Sequence, residues 1–331
     1  MAPMAPMATM APMSTTHAAS SYLMLLDTPA LYFRAFHGVP DSVTAPDGTP
    51  VNAVRGLLDM IARLVNPGRD DRAVRARPAR LVACMDADWR PAFRVAAMPS
   101  YKAHRLGPGG AEIVPPALTA QIPVIEEVLD AAGIARGPAP GYEADDVIGT
   151  LAARADVPVD IVTGDRDLFQ LVDDARQVRV LYTARGFARL EVVDEAAVTA
   201  RYDIPGRAYA DFAALRGDPS DGLPGVRGIG AKTAAALVRR FGTVDAMLAA
   251  LDKDPVASGL GSSRAKLAAD RDYLAAAMPV VLVATDAPIP PLDDALPAQA
   301  KDPPRLAELG GRWNLGSSLS RLLSALEARG S

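Results

Sequence analysis

Cysteine is almost missing from this 331-residue chain: Cys84 is the only one. A single thiol excludes an internal disulfide and any site built from several thiolates, and it suits a reducing cytoplasm. Its place inside an apolar run makes it a small core residue. Histidine is nearly as scarce, and His17, His37 and His104 are too far apart in sequence to form a zinc pattern. No run approaches the roughly 18 apolar residues of a membrane span. Residues 1–20 are Met, Ala and Pro repeats without a basic start or a continuous apolar core. That excludes a signal peptide and points to disorder, or to a start codon placed too early. Positive charge is not in excess either: 35 Lys and Arg stand against 39 Asp and Glu, a net charge of −4. A nucleic-acid partner would therefore have to be held by local basic patches.

What the chain does have is acids placed after apolar runs. Residues 22–26, 81–85 and 159–162 read as buried strands, and Asp27, Asp86 and Asp165 follow them. Helical periodicity is expected in 52–65, 118–129, 143–154, 168–172, 194–202 (with Asp194 as N-cap), 205–215, 231–241, 243–278 and 306–326. Residues 178–182 and 189–193 flank Gly186 and read as a hairpin, and 286–304 as a Pro-rich linker. The arginines of 69–80 suit a solvated loop. In 89–105, Arg90, Arg94, Lys102 and Arg105 alternate with Trp89, Phe93 and Tyr101 and no acid. Such a mixture suits a phosphate backbone and stacked bases, although a surface helix would also accommodate it.

The densest acidic stretch is Glu143-Ala-Asp-Asp146. Acids in a helix's first turn are stabilised by the macrodipole, by roughly 0.3–1 kcal/mol each. Aspartate after a strand is likewise an ordinary turn residue. The conjunction is what speaks for a site. In an open parallel sheet the strand ends converge on one edge, and two acids about 4 Å apart repel by roughly 4 kcal/mol at an effective dielectric of 20. Cations must offset that. Without thiol or imidazole ligands they would be hard ions, Mg²⁺ or Mn²⁺, and a pair of them is the usual machinery of phosphodiester hydrolysis. Glu143 and Asp146, three apart, are expected on one helix face. Asp145 would then point elsewhere and act through water, so its loss should be the mildest of the three. Asp218 and Asp221 precede a second signal, Leu-Pro-Gly-Val-Arg-Gly-Ile-Gly230 leading into Lys232 and Thr233. Its glycines allow close backbone approach, and helix-start N–H groups bind phosphate. The spacing is wrong for a Walker loop.

These residues together resemble the 5′-nuclease family: the 5′–3′ exonuclease domain of bacterial DNA polymerase I, the phage 5′-nucleases and the flap endonucleases. The strings that carry the likeness are Tyr-Lys-Ala-His-Arg105, Glu143-Ala-Asp-Asp-Val-Ile-Gly149, Thr163-Gly-Asp-Arg-Asp-Leu168, and Gly217-Asp-Pro-Ser-Asp221 running into Gly-Ile-Gly230. The resemblance implies an α/β, PIN-like domain with a mostly parallel sheet and a helical arch, followed by a helix–hairpin–helix region. Residues 21–203 would form the catalytic domain, with the arch at 89–120. Residues 204–290 would bind DNA, and 291–331 would be a linker and final helical segment. It further implies that Asp27, Asp86, Glu143, Asp145 and Asp146 serve a first metal and Asp165, Asp167, Asp218 and Asp221 a second. Lys102, Arg105 and Arg94 would act on the scissile phosphate. Arg34 and the hairpin residues Gly225, Arg227, Gly228, Gly230, Lys232 and Thr233 would contact DNA, with a K⁺ ion often found among hairpin carbonyls in the family. The expected cofactors are two Mg²⁺, replaceable by Mn²⁺, and the expected partner is DNA with 5′ flaps or ends.

The implied protein is a cytoplasmic monomer, nucleoid-associated on DNA and linked in function to a DNA polymerase. No polymerase region follows, so a stand-alone nuclease is expected. Thr28 and Gly222 replace the family's usual Gly and Asn. They leave the acids intact and put only loop geometry in question. A Gly-rich loop at 106–110 should make the arch more mobile. The rival readings are a DNA-structure binder that has lost its chemistry, a metal-dependent RNA nuclease and, more weakly, a phosphatase centred on Asp165 and Asp167.

Overall fold

A computed structural model describes residues 21–68, 71–75, 77–253 and 258–328; the expectations for residues 1–20 and for Arg69 lie outside them. The strand β1 (Leu23–Asp27) is buried along its whole length. It is flanked by β2 (Arg80–Cys84) and β4 (Val159–Thr163), both parallel to it, with Leu23 in register with Arg80 and Val159. Outside these lie β3 (Ala135–Gly137), β5 (Val178–Tyr182) and β6 (Glu191–Val193), giving the order β3-β2-β1-β4-β5-β6. Only β6, hairpinned onto β5, runs antiparallel. Parallel neighbours need crossovers, and the crossovers place helices on both faces. The carboxyl ends of β2, β1 and β4 therefore share one edge, with the aspartates that follow them.

Alternation along the strands separates two apolar clusters. Leu23, Leu25, Val82, Ile161 and Val180 face α6 (Ala144–Arg154), α8 (Tyr209–Arg216), α9 (Ala231–Phe241) and α12 (Arg271–Val281). Met24, Leu26, Leu81, Val162 and Leu181 face α2 (Asn52–Val65), α5 (Ile122–Ala132) and α14 (Gly316–Glu327). Between them run α1 (Thr28–Gly38), α3 (Ala92–Ala97), α4 (Pro116–Thr119), α7 (Glu195–Tyr202), α10 (Val244–Leu251), α11 (Arg264–Ala269) and α13 (Pro303–Arg312). Among the described residues no helix is long and apolar enough to cross a membrane.

Several local expectations change. The arch segment 89–120 carries only α3, α4 and 3₁₀ turns at Ala103–Arg105 and Pro108–Gly110. Pro91, Pro99, Pro108 and Pro115 each deny a helix an N–H and interrupt it. Of residues 168–172, expected as α-helix, 168–171 belong to a 3₁₀ turn, Asp167–Leu171, and Val172 is its extended C-cap. The expected helix 306–326 is split between α13 and α14, with Asn314 at φ 50° between them. The Pro-rich stretch is no free linker: Asp294 O accepts the Leu81 N–H at 2.8 Å, and Ala79 O accepts that of Leu296 at 2.9 Å. Gly222, where the family's usual Asn is missing, sits at φ 78°, and a Cβ there would lie 2.4 Å from Ser100 O. The loop after α8 thus presses directly onto the base of the arch.

Candidate active site

An open cleft of about 1180 Å³ lies at the carboxyl edge of the sheet, with Asp27, Asp86, Glu143, Asp145 and Asp165 among its lining residues. Each is held by the element it ends or begins. Asp27 caps α1 by accepting the Ala30 N–H at 3.2 Å, and its other oxygen takes the Thr163 hydroxyl at 2.5 Å. Thr163 Oγ1 also accepts the Asp165 N–H at 2.9 Å, which ties the ends of β1 and β4 together. Asp86 accepts the Ala144 N–H at 2.8 Å and so caps α6 from β2.

Lys102 and Arg105 enter from the arch side, and Arg34 and Phe33 from α1. Lys102 has φ 47°, an unfavourable backbone for a lysine, and its ammonium bonds Glu143 Oε1. Burial works against that ammonium's charge, but Glu143 and Asp221 outweigh it and hold the pKa above the usual lysine range.

Glu143 is compensated by Lys102 and Arg94, but among the described residues no cation is bonded to Asp27, Asp86, Asp145 or Asp165. Burial, more than the nearby Asp165, pushes the Asp27 carboxyl up to about 6. Burial and Glu143 push Asp86 to about 7. Asp145 is raised well above the carboxylate range by burial and then by Asp27, Asp165 and Glu143. A second group adjoins the first. Asp167 is raised strongly by burial and by Asp165, Asp221 and Asp218, and its Oδ1 is buried without a hydrogen-bond partner. Asp221 is pushed to about 6, chiefly by burial. Asp218 is committed to its own loop: Oδ1 accepts the Ser220 N–H at 2.9 Å, and Oδ2 lies 3.4 Å from Arg216 and 4.0 Å from Arg166.

Asp146 does not join the others. It is fully buried behind the cleft and takes Arg94 on both oxygens, at 2.8 and 2.7 Å. It also accepts the backbone N–H of Ala284 at 2.8 Å and of Glu143 at 3.2 Å. Glu143 and Asp146 do meet, as their spacing predicts: they form a capping box at the start of α6 and share the Nη1 of Arg94, and it is this pairing that occupies the Asp146 oxygens. Asp145 is the residue that lines the cleft, and the expectation that it points away is reversed. Arg94 is corrected for the same reason. It is 3% exposed, bonded to Glu143 and Asp146 and to Val280 O, and cannot reach a phosphate in the cleft.

The donor set fits hard divalent cations: it is all oxygen, crowded with like charge, and includes one buried carboxylate oxygen with no partner. Among the described residues no three acids, histidines or cysteines are yet close enough together to hold an ion. The raised pKa values have a measurable consequence. An unfolded aspartate titrates near 3.9, whereas folded Asp27 and Asp86 titrate at about 6 and 7. Their contribution to stability is present below pH ~4 and is lost as pH rises through 6 and 7. Mg²⁺ at a hundred times its Kd should therefore raise Tm at pH 8 by about 5 °C or more. The gain should shrink by pH 5. An equal gain at both pH values in thermal melts would count against the acid cluster as the binding site.

The turn before α9 is also built. Val226 and Ile229 are buried, Ile229 N–H reaches Val226 O at 2.9 Å, and Arg227, Gly228, Gly230 and Lys232 face solvent. Thr233 is half-buried in the first turn of α9, and Gly225 donates its N–H to the Tyr273 hydroxyl at 3.0 Å. Some residues around the cleft had no individual signal in the sequence. Thr163 orients two acids, Tyr101 donates to Glu143 Oε2 at 2.5 Å, and Arg166 and Glu112 line the cleft. Thr163 and Tyr101 belong to strings already singled out; Glu112 lies in an arch loop that no pattern marks.

Comparison with known proteins gives two family matches: the 5′-3′ exonuclease N-terminal resolvase-like domain over residues 22–203, and the 5′-3′ exonuclease C-terminal SAM fold over 204–304. A 5′-3′ exonuclease of Streptomyces coelicolor is 59% identical over 310 residues, 92% of this chain and 100% of that one. A 5′-3′ exonuclease of Mycobacterium tuberculosis is 51% identical over 93% of this chain and 98% of its own length. DNA polymerase I of Mycobacterium bovis is 35% identical over 94% of this chain, which spans 32% of that protein. Among solved structures, a bacteriophage T5 flap endonuclease with DNA and metal ions shares the fold at a TM-score of 0.58 and 16% identity, covering 93% of this chain and all of that one. Human GEN1 with Holliday junction DNA does so at 0.59 and 16%, covering 94% of this chain and 75% of that one.

Proposed function

The chain belongs to the 5′–3′ exonuclease family, and on that premise we propose that it is a Mg²⁺-dependent hydrolase of DNA phosphodiester bonds, acting at 5′ ends and at the base of 5′ flaps. The observation that carries this reading is the acidic floor at the sheet's carboxyl edge, with Lys102 and Arg105 beside it. Asp27, Asp86, Glu143 and Asp145 would hold one divalent ion, and Asp165, Asp167 and Asp221 the other, with Asp218 shaping their loop. Bound there, Mg²⁺ (or Mn²⁺ in its place) supplies the Lewis acidity and nucleophile activation of a two-metal site. The chain's own residues do the rest. Lys102 and Arg105 set positive charge where the phosphate develops negative charge. Arg34 adds a third cation from α1. The start of α9, from Gly230 onward, offers backbone N–H groups to a duplex phosphate.

Residues 21–203 thus carry cutting and 204–290 the duplex grip, with 291–328 closing the far face of the sheet. We place the protein on DNA as a monomer in the cytoplasm. The likeness to DNA polymerase I supports a functional link to a polymerase. A 5′-labelled flap incubated with Mg²⁺ or EDTA tests the reading on one gel. A 5′-terminal product with Mg²⁺ alone is expected; no product in either lane would favour a non-cutting binder. A matched RNA flap should be cut far more slowly. Lys102→Ala is expected to slow single-turnover cleavage by about 10²-fold while duplex affinity changes little. A wild-type rate would remove Lys102 from the chemistry.

A further inference from the structure

Between Trp89 and Ala120 the arch segment holds a single acid, Glu112, against Arg90, Arg94, Lys102 and Arg105. The loop that carries it folds back on Arg105. Gly107 donates its N–H to Ala111 O at 2.8 Å, and Ile113 donates its own to Arg105 O at 2.8 Å. Leu106 and Glu112 are paired between them by an antiparallel bridge. The fold-back brings Glu112 into the cleft with Lys102 and Arg105, its side chain 22% exposed. The Arg105 guanidinium is stretched between this loop and the one after α8. Its Nη1 lies 4.0 Å from Glu112 Oε1, while Nη2 donates to Ser220 O at 3.0 Å and lies 3.7 Å from Asp221 Oδ1. Burial holds the Glu112 carboxyl above its usual range, against the pull of Arg105 first and of Lys102 second.

We propose that Glu112 is a positioning residue for Arg105, keeping its guanidinium in the cleft when Asp221 is given over to a divalent ion. A carboxylate in a cleft that takes phosphates repels them, so attraction of the substrate does not account for its place there. Its relation to Arg105 does. Without metal, Arg105 has an acid at each end of its fork, Glu112 on one side and Asp221 on the other. An ion held by Asp221 takes up that acid's charge and repels the guanidinium, which leaves Glu112 as the acid within reach. A guanidinium has five donors in a fixed plane, so an anchor at Nη1 orients the others and leaves them for a phosphate oxygen. Glu112 thus acts through Arg105 and does not touch the reacting phosphate. The inference rests on the reading of Asp221 as a metal-holding acid and of Arg105 as a phosphate contact.

The experiment takes wild type, Glu112→Gln, Arg105→Ala and the double variant, at a temperature where thermal melts show all four folded. Single-turnover cleavage of a 5′-labelled flap is read in Mg²⁺ at saturating enzyme, and affinity for the same flap is read in EDTA. Glu112→Gln is expected to cut about tenfold more slowly while binding the flap as tightly as wild type or more tightly, since an acid has left the path of the phosphates. The double variant is expected to cut at the rate of Arg105→Ala alone, because Glu112 has nothing left to position. A Glu112→Gln protein that cuts at the wild-type rate overturns the proposal. So does a further loss of similar size when Glu112→Gln is added to Arg105→Ala, which would place the effect of Glu112 elsewhere. A wild type that cuts no flap overturns the nuclease reading itself, and this role with it.

Discussion

Asp145→Asn is expected to lower single-turnover cleavage by a hundredfold or more, roughly the several kcal/mol that a well-held metal contributes, at about 1.4 kcal/mol per tenfold. Asp145 lines the cleft alongside Asp27 and Asp165, and the raised carboxyl shows that its charge is uncompensated there. Removing that charge also relieves repulsion. The same substitution should therefore leave the metal-free protein at least as stable as wild type above pH 7, and should reduce the Tm gained on adding Mg²⁺. Activity and stability are expected to move in opposite directions, a pattern that general damage to the fold does not produce. Cleavage within tenfold of wild type would remove Asp145 from the metal-holding set.

Asp146→Asn is expected to do the opposite: to cost stability first. Asp146 and Arg94 form a buried ion pair, 0% and 3% exposed, and Asp146 Oδ1 and Oδ2 also accept the N–H groups of Ala284 and Glu143. Breaking such a pair from one side leaves the buried Arg94 with Glu143 as its one remaining carboxylate, at a cost of up to about 3–5 kcal/mol. For a chain of this size that is a fall in Tm of up to roughly 10 °C. Arg94→Ala should cost at least as much, because it strips both Asp146 and Glu143 of their guanidinium. Below the melting temperature the folded Asp146→Asn protein should still cut. Wild-type Tm together with complete loss of cleavage would return Asp146 to the metal site.

The contrast between neighbours shows how far the chain could be read without its fold. Strand ends at Asp27, Asp86 and Asp165 were legible because a fully buried parallel strand is a continuous apolar run, and the acid that stops it marks the sheet's functional edge. The helix after Glu143 and the Gly-rich turn before Ala231 were legible from spacing and from glycine's freedom at positive φ, realised at Gly228. Ala135–Gly137 was not, since three residues, two half-exposed and one a buried glycine, hold no period. Nor was the use of 294–296 to pair with residues flanking the start of β2, which depends on an edge that exists only after the sheet forms.

The sequence alone determined the central strands and the main helices and that a reserve of acids follows the strands, because these follow from local pattern and from the chemistry of side chains. It also carried the motifs that mark the family. The division of labour within Glu143-Ala-Asp-Asp146 was decided only by the tertiary structure. Helical spacing pairs Glu143 with Asp146, but it cannot say which acid will meet a distant cation. Arg94, 52 residues away from Asp146 in sequence, claims that carboxylate for the core and leaves Asp145 to the cleft.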